Sequence, residues 1–291
     1  MKKTIVGIGE IVWDMLPAGR QLGGAPVNFS YFAHELGAQA YPVSAVGMDS
    51  LGDEALEILE GAGIDTSYIQ RNSLPTSRVL VTADSEGVPQ YEIVEGVAWD
   101  EIGCTEEALE LMKSADVVCW GSLAQRSGIS RKSILDMVDM APGSCLKVFD
   151  INIRQDFYSA EIIEQSLLRA DILKLNEDEL PLVASMFGIE GEPGEIAGKV
   201  IERFSLKNII YTQGAVRSII YGKEGIVSSL PTPSVKVADT VGAGDSFTAT
   251  YVTSALGGKS PMEAHRLAAK VAAFVCTKNG AINPLPEGFA D

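Results

Sequence analysis

The chain has 291 residues and is strongly acidic, with 23 Lys and Arg against 39 Asp and Glu and a formal net charge of −16. An acidic surface argues against nucleic acid and against an anionic membrane as partners, because both carry negative charge themselves. Hydrophobic residues make up 46% of the chain, which indicates a folded globular protein. The length allows one large or two smaller domains with an ample core.

Cysteine usage and the N-terminus bear on the cellular compartment. The chain leads from Met1 directly into a strand pattern, and no apolar run is long enough to span a bilayer. We therefore predict a cytoplasmic protein. His34 and His265 fall in predicted helices with no partner nearby. The cysteines are widely spaced without a Cys-x-x-Cys pair, so we expect reduced thiols. They are Cys104, Cys119, Cys145 and Cys276.

The first third of the chain mixes strand-like and helix-like patterns. The residues 85–88 between its last two strands are a hairpin signal. In chain order we predict strand 4–9, an irregular stretch 11–21, helix 26–36, strand 41–46, helix 53–61, strand 79–84 and strand 90–94.

From residue 106 onward, helices and strands alternate, which implies a mainly parallel sheet covered on both faces. The early hairpin and the stretch 11–21 do not fit this alternation. We interpret them as a small β lid, formed by about 11–22 and 76–98, inserted in a single domain of residues 1–291. The later predicted elements are helix 106–114, strand 116–120, helix 131–140, strand 146–150, helix 160–169, strand 172–175, helices 177–187 and 195–204, strand 208–212, hairpin strands 218–221 and 225–230, and helices 246–256 and 261–277.

Polar residues follow several of the predicted strands. They include Glu10, Ser122 and the segments 150–154, 175–179 and 212–214. Ligands bind at the carboxyl ends of the strands in open α/β sheets, so these residues predict one polar binding rim.

The most informative motif is Gly242-Ala243-Gly244-Asp245, within residues 239–247. Small residues at the start of a helix expose backbone N–H groups, which together with the helix dipole favour a phosphate. A carboxylate there would repel phosphate, unless it takes a proton from a hydroxyl that attacks the phosphate. Taken alone, the motif favours a glycine turn with Asp245 as a helix cap, and the rest of the chain reverses this preference.

Two segments together resemble a known family. The run Gly-Gly-Ala-Pro-Val-Asn-Phe-Ser at 23–30, followed by Gly37 and Gly47, resembles the N-terminal signature of the ribokinase-like (PfkB) carbohydrate kinases. Residues 239–247 resemble their C-terminal signature. The resemblance implies a ribokinase-like three-layer α/β/α sandwich with a mainly parallel central sheet plus a small β lid.

The resemblance also implies catalytic roles. Asp245 would deprotonate a sugar hydroxyl, and Gly242, Ala243 and Gly244 would supply backbone donors for charge on the γ-phosphate. One departure is Thr250, where the signature usually has Ala or Gly; we expect it to alter packing without removing chemistry.

On the substrate side, the resemblance implies that Asp14, Gly24 and Asn28 hydrogen-bond sugar hydroxyls. Arg154 ends a segment similar to the Asp-x-Asn-x-Arg of fructokinase and 2-keto-3-deoxygluconate kinase relatives. It would contact phosphate or substrate, or else form a salt bridge that holds its loop.

On the nucleotide side, Asn176 and Glu179 match the family's Asn-x-x-Glu motif, which organises Mg²⁺ and phosphate through water. Their alternative is a capping box at a helix start. Thr212 and Gly214 would lie against the phosphates and ribose of ATP. The carboxylate of Asp239 and the carbonyl of Val241 match a K⁺ site of many relatives.

The leading function is ATP-dependent phosphorylation of a small sugar, first of all fructose to fructose 6-phosphate. The alternatives are 2-keto-3-deoxygluconate, ribose or a nucleoside as acceptor, or a sugar-binding sensor that has lost catalysis. Alternating apolar residues in the lid strands also predict a homodimer joined through the lids.

Overall fold

The computed structural model describes residues 2–16, 19–83 and 89–289, in which two sheets are found. The main sheet has nine strands and the small sheet has four. The strands are β1 Thr4–Ile8, β2 Val12–Leu16, β3 Gly19–Gly23, β4 Gln39–Gly47, β5 Ile69–Asn72, β6 Ser77–Ala83, β7 Pro89–Ile93, β8 Val117–Trp120, β9 Leu146–Asp150, β10 Ile172–Asn176, β11 Asn208–Gln213, β12 Arg217–Gly222 and β13 Gly225–Pro231.

The main sheet has the order β13-β12-β11-β10-β9-β8-β1-β4-β5. Its strands are parallel from β11 to β5, and β12 and β13 are added to one edge as an antiparallel hairpin. Strand β5 was not predicted, since Ile69 is its single apolar residue. The parallel arrangement brings the carboxyl ends of β1, β9, β10 and β11 to one rim.

Helices cover both faces of the main sheet. They are α1 Ala25–Glu35, α2 Ser50–Gly61, α3 Glu106–Lys113, α4 Gly128–Met140, α5 Ala160–Leu167, α6 Glu179–Met186, α7 Pro193–Phe204, α8 Ala243–Leu256 and α9 Pro261–Val275, with short 3-10 turns at Ala98–Glu101 and Leu123–Arg126.

Neighbouring residues of β1 belong to different halves of the core. Val6 is buried with apolar residues of α3 to α7, whereas Ile5 is buried with those of α1, α2, α8 and α9. Successive side chains of a strand point to opposite faces, so the sheet is the middle layer between two helical layers. The predicted α/β/α sandwich is confirmed.

Local capping explains where helices begin. In α9 the Ser260 side chain accepts from the Glu263 N–H while the Glu263 carboxylate accepts from the Ser260 N–H, a capping box. The predicted start of α2 at residue 53 was too late, because Asp49 caps the helix by accepting from the Gly52 N–H at 2.8 Å. The start of α4 was late for the same reason, since Ser127 is its cap.

The small sheet has the order β3-β2-β6-β7. The stretch 11–21 was predicted to be irregular, and this prediction was wrong, because it contributes to the hairpin of β2 and β3. Glycines at both ends of β3 weaken its strand signal, and the parallel pairing of β2 with the distant β6 supplies support that local sequence does not reveal. Residue 84 of the predicted strand and the predicted turn 85–88 lie outside the described residues.

The small sheet is anchored on the main body. Val79 and Ile93 are buried in the same core as Val12, and the Trp13 indole N–H donates to the Leu51 carbonyl at 3.0 Å. These contacts hold Asp14, paired with Val79 across β2 and β6, above the rim of the main sheet.

The four cysteines are not paired with one another, and His265 is a buried residue of the core. All four thiols are free, and burial raises the pKa of each. His265 does have partners, contrary to the sequence reading, because its ring nitrogens lie 2.7 Å and 2.8 Å from the hydroxyls of Ser218 and Ser228. In the part of the chain that the structure describes, no helix combines the length and apolar character needed to cross a membrane.

Candidate active site

A cleft of about 810 Å³ lies along the polar rim, between the main sheet and the small sheet. Asp239 is not among the residues that line it. The predicted site residues that do line it are Asp14, Gly24, Asn28, Arg154, Asn176, Glu179, Thr212, Gly214, Val241, Gly242, Ala243, Gly244 and Asp245.

The glycine loop forms the N-terminus of α8. Gly242 has a φ of 76°, and a Cβ there would come within 2.6 Å of the Ala281 Cβ, so both backbone conformation and space require glycine. The hydrogen-bond ladder of the helix begins with the Ser246 N–H, which donates to the Gly242 carbonyl at 2.8 Å. The N–H groups of Gly244 and Asp245 precede that ladder and are therefore positioned as donors for an anion.

Ala243 was predicted to supply a backbone donor for phosphate, but in this structure its N–H has a protein acceptor. Its N–H donates to the Thr240 carbonyl at 3.2 Å and so closes the turn before the helix. Thr250, one of the buried residues further along α8, donates its hydroxyl to the Ser246 carbonyl at 2.7 Å. The departure from the family signature at this position is thus accommodated inside the helix, away from the loop.

Asp245 is held by a residue from the other end of the chain. The Asn28 side-chain amide donates to Oδ2 of Asp245 at 2.8 Å. Burial raises the pKa of Asp245 above its usual value, and the Asn28 hydrogen bond and the charges of Lys174 and Arg154 oppose that rise. A carboxylate with a raised pKa, facing a cleft, is suited to accept a proton from a hydroxyl.

Three carboxyl groups approach the end of the cleft beneath the small sheet: Asp245, Asp14 and Glu10. Burial raises the pKa of Asp14, and burial raises the pKa of Glu10 to about 7. Glu10 accepts a hydrogen bond of 3.2 Å from the Ala25 N–H, and a Cβ at Gly24 would lie 2.2 Å from the Glu10 carbonyl. The sequence placed Glu10 on the rim but gave it no role.

Arg154 is an exposed residue in the loop after β9. Its guanidinium donates to the Ile153 carbonyl at 3.0 Å, and within the described residues no carboxylate lies close enough to pair with it. Its charge lowers the pKa values of Glu10, Asp14 and Asp245. The alternative that Arg154 only forms a salt bridge is therefore not supported.

Asn176 and Glu179 adopt the capping-box geometry. The Asn176 side chain accepts from the Glu179 N–H at 3.0 Å, and Glu179 accepts from the Asn176 N–H at 2.8 Å. The second carboxylate oxygen of Glu179 accepts from the Ile153 N–H at 2.9 Å, which ties the loop after β9 to the loop after β10. Among the described residues, no group of three or more His, Cys, Asp or Glu side chains could hold a metal ion by itself.

The opposite end of the cleft is formed by the ends of β11 and α9. Thr212 and Gly214 line it, and the Gly214 carbonyl accepts from the Thr232 hydroxyl at 2.8 Å. Apolar residues that line the same end include Val235, Val237 and Ala272.

Asp239 organises the glycine loop from outside the cleft. Its Oδ1 accepts from the N–H groups of Thr240 and Val241 at 2.7 Å and 3.1 Å, and its Oδ2 accepts from the Gly280 N–H at 3.0 Å. These bonds join the backbone just before Gly242 to the segment at Gly280, whose neighbour Ala281 packs against Gly242.

Lys174 was missed by the sequence analysis. It lines the cleft from β10 and forms a buried ion pair with Asp150 on the neighbouring strand, with Nζ 3.1 Å from Oδ1. A lysine within the otherwise apolar run Ile-Leu-Lys-Leu was the available signal.

Comparison with known proteins agrees with this fold. The family model described as pfkB family carbohydrate kinase matches residues 18–288. Ribokinase from Arabidopsis thaliana is 28% identical, covering 91% of this chain and 69% of its own length. Fructokinase-1 from Zea mays is 27% identical, covering 98% of this chain and 95% of its own length. The crystal structure of fructokinase with bound ATP from Xylella fastidiosa superimposes with a TM-score of 0.85 at 22% identity. The match covers 98% of this chain and 96% of the fructokinase chain.

The fold, the glycine loop with its aspartate and the family match define a class of enzymes that transfer a phosphoryl group to a sugar hydroxyl. The chain belongs to the pfkB family of carbohydrate kinases. The prediction of an ATP-dependent carbohydrate kinase is confirmed.

Proposed function

We propose that this enzyme transfers the γ-phosphoryl group of ATP to a hydroxyl of a small neutral sugar, with fructose as the first candidate and fructose 6-phosphate as the product. The observation that carries this proposal is the Asn28–Asp245 pair at the start of α8, which puts a base beside backbone donors for phosphate.

The two ends of the cleft differ in ways that support this orientation. Hydroxyl-rich sugars require many hydrogen-bonding groups, and Asp14, Asn28 and Arg154 supply them at one end. The apolar side chains of Val235 and Val237 at the other end suit a planar base, with Thr212 and Gly214 near its ribose and phosphates.

The donor set fits a magnesium ion that is held mainly by phosphate and water. Each Glu179 oxygen accepts one backbone N–H and retains a lone pair for water, and Asn176 fixes the carboxylate. Mg²⁺ prefers oxygen ligands and keeps several waters, so this pair can hold it without direct coordination. When bound, the ion would neutralise charge on the phosphates.

The charges at the sugar end favour a neutral acceptor. Asp14, Asp245 and the partly ionised Glu10 face this end, against the single exposed guanidinium of Arg154. The carboxylate of 2-keto-3-deoxygluconate would meet repulsion there, whereas the hydroxyls of fructose or ribose can donate to these acceptors. Fructose is preferred over ribose and nucleosides because of the fructokinase-like segment 150–154.

In the reaction, Asp245 accepts the proton of the attacking hydroxyl. The N–H groups of the glycine loop stabilise charge on the phosphoryl oxygens, and the small sheet limits access of water, which would otherwise divert the phosphoryl group. Asp14 and Asn28 orient the sugar so that its hydroxyl faces the base.

A sugar panel tests this proposal. Purified enzyme with ATP and Mg²⁺ is given fructose, ribose, 2-keto-3-deoxygluconate or a nucleoside, and ADP formation is measured, with Asp245→Asn as the control for contaminating kinases. We expect the highest kcat/KM with fructose. Preference for 2-keto-3-deoxygluconate would contradict the charge argument, and sugar binding without turnover on any acceptor would favour the sensor alternative.

We further propose a cytoplasmic homodimer joined through the small sheets. Val79 and Ile93 are already buried in the protein's own core, and Met15 on the other face packs against it as well, so the support comes from half-buried Leu80 beside Met15. Light scattering at assay concentration tests the dimer, and a strictly monomeric, fully active enzyme would rule it out.

A further inference from the structure

We propose that Lys174 is a further catalytic residue of this kinase, whose ammonium contacts the phosphoryl group during transfer. The competing explanation is that Lys174 serves only as the counter-ion of Asp150. Position, surroundings and charge favour the catalytic role.

The position of Lys174 is fixed by the centre of the main sheet. It pairs with Asp150 on β9 and Ile210 on β11, so its backbone is constrained on both sides. Its side chain is only 9% exposed, yet the residue lines the cleft. The ammonium of Lys174 is therefore accessible mainly from the cleft.

The ammonium lies against the glycine loop. A Cβ placed on Gly244 would come within 3.0 Å of Lys174 Nζ and 3.5 Å of its Cε. The missing side chain at Gly244 therefore leaves room for the ammonium to approach the same backbone whose N–H groups face an anion. Lys174 carries three donors, and Asp150 Oδ1 is its acceptor at 3.1 Å.

The apolar surroundings make a purely stabilising role a poor explanation. Ile172 and Ile210, on the same face of the sheet, are buried in the core. Replacing a buried ion pair by apolar residues is often neutral or stabilising, so a structural need alone does not account for a lysine and an aspartate here.

The charge distribution points the same way. Burial lowers the pKa of Lys174, but the charges of Asp150, Glu179 and Asp245 outweigh this effect and hold the pKa above its usual value. Without Lys174, the carboxylates of Glu179 and Asp245, which line the cleft, would repel the incoming phosphate. With Lys174, a permanent positive charge stands beside the loop, where charge develops in the transition state.

The step assigned to Lys174 is the transfer itself. The sugar hydroxyl oxygen forms a bond to the γ-phosphorus, and its proton goes to Asp245. The bond from the γ-phosphorus to the β–γ bridging oxygen breaks, and ADP leaves with that electron pair. The Lys174 ammonium donates hydrogen bonds to the non-bridging phosphoryl oxygens and is not consumed.

A double-mutant comparison separates the two explanations. Lys174→Met removes the charge at similar length but leaves Asp150 unpaired, Asp150→Asn removes the counter-charge, and the double variant contains a neutral pair. We compare kcat and sugar KM for all three with the parent enzyme, after thermal unfolding has shown which variants fold. The neutral pair keeps the comparison possible if Lys174→Met alone does not fold.

We expect the double variant to have a kcat at least about 100-fold below that of Asp150→Asn, within the range typical for loss of one transition-state donor, with sugar KM little changed. A smaller difference would overturn the proposal, because a counter-ion becomes dispensable once Asp150 is neutral.

Binding of a phosphoryl mimic supplies an independent readout. Aluminium fluoride is added to enzyme with ADP, Mg²⁺ and sugar, and retention of ADP is measured by equilibrium dialysis. We expect aluminium fluoride to strengthen ADP binding in Asp150→Asn but not in the double variant. ADP alone should bind both variants equally. Equal tightening in both variants would show that Lys174 does not contact the transferred group.

Discussion

The Asn28 amide and the Asp245 carboxylate, 217 residues apart in the chain, form a hydrogen bond of 2.8 Å that joins the start of α1 to the start of α8. The amide oxygen of Asn28 is buried and has no protein partner among the described residues. Asn28 thus orients the base with one end of its amide and retains an acceptor at the other. The two family signatures meet in this single contact.

Replacement of the base is the most direct prediction. Asp245→Asn should keep the fold and most of the sugar affinity, because the amide is isosteric with the carboxylate. It should lower kcat by roughly 10²–10⁴, since the hydroxyl proton loses its acceptor. Steady-state kinetics with fructose and calorimetric sugar binding measure the two effects. Near-normal turnover would remove Asp245 from the mechanism.

Asn28→Ala should change the pH dependence as well as the affinity. The hydrogen bond from Asn28 lowers the pKa of Asp245, so its loss should raise that pKa. The base must be ionised, and the acidic limb of kcat/KM should therefore move to higher pH. Ser30→Ala is a matched control, because the Ser30 hydroxyl, on the same helix, donates to the Pro26 carbonyl. A limb that stays in place in Asn28→Ala would contradict this prediction.

Replacement of Asp14 tests which end of the cleft binds the sugar and which end binds the nucleotide. Asp14→Ala should raise the sugar KM by roughly tenfold to a hundredfold, the cost of losing a buried hydrogen bond to a hydroxyl, and leave the ATP KM nearly unchanged. Initial rates with each substrate varied in turn provide the measurement. If ATP binding failed while sugar binding stayed intact, the assignment of the two ends would be reversed.

The sequence predicted most accurately those features whose signal lies within one short segment. The parallel sheet and the glycine loop follow from local patterns, and the predicted catalytic, sugar and nucleotide residues line the cleft, whereas Asp239 and the predicted rim residues Ser122 and Asp150 do not. What the sequence missed depends on contacts between distant segments. The hairpin of β2 and β3 is supported by its pairing with β6. The role proposed for Lys174 depends on its contacts with Asp150 and Gly244, and no periodicity in the sequence shows that these residues meet.

His265 should make folding stability depend on pH. Burial lowers its pKa to about 4, below the 6.5 of an exposed histidine. Between these values the unfolded chain binds the proton and the folded protein does not, so stability is fully present above pH 6.5 and is lost as the pH falls toward 4. Relative to the neutral His265→Gln, the parent should lose up to about 3 kcal/mol over this range. Urea unfolding at several pH values tests it, and a constant difference would contradict it.

The final prediction concerns a monovalent cation beside the glycine loop. Asp239 already ties Thr240, Val241 and Gly280 together through its two oxygens, and its charge and the Val241 carbonyl are the ligand types that K⁺ prefers. A bound K⁺ would stiffen this loop and so align the donors of Gly244 and Asp245. We expect higher kcat in K⁺ than in Na⁺ or tetramethylammonium at equal ionic strength. Asp239→Asn, which keeps an acceptor for the Thr240 N–H but loses the charge, should abolish the difference. Equal activity in all three salts would mean that Asp239 holds the loop by its hydrogen bonds alone.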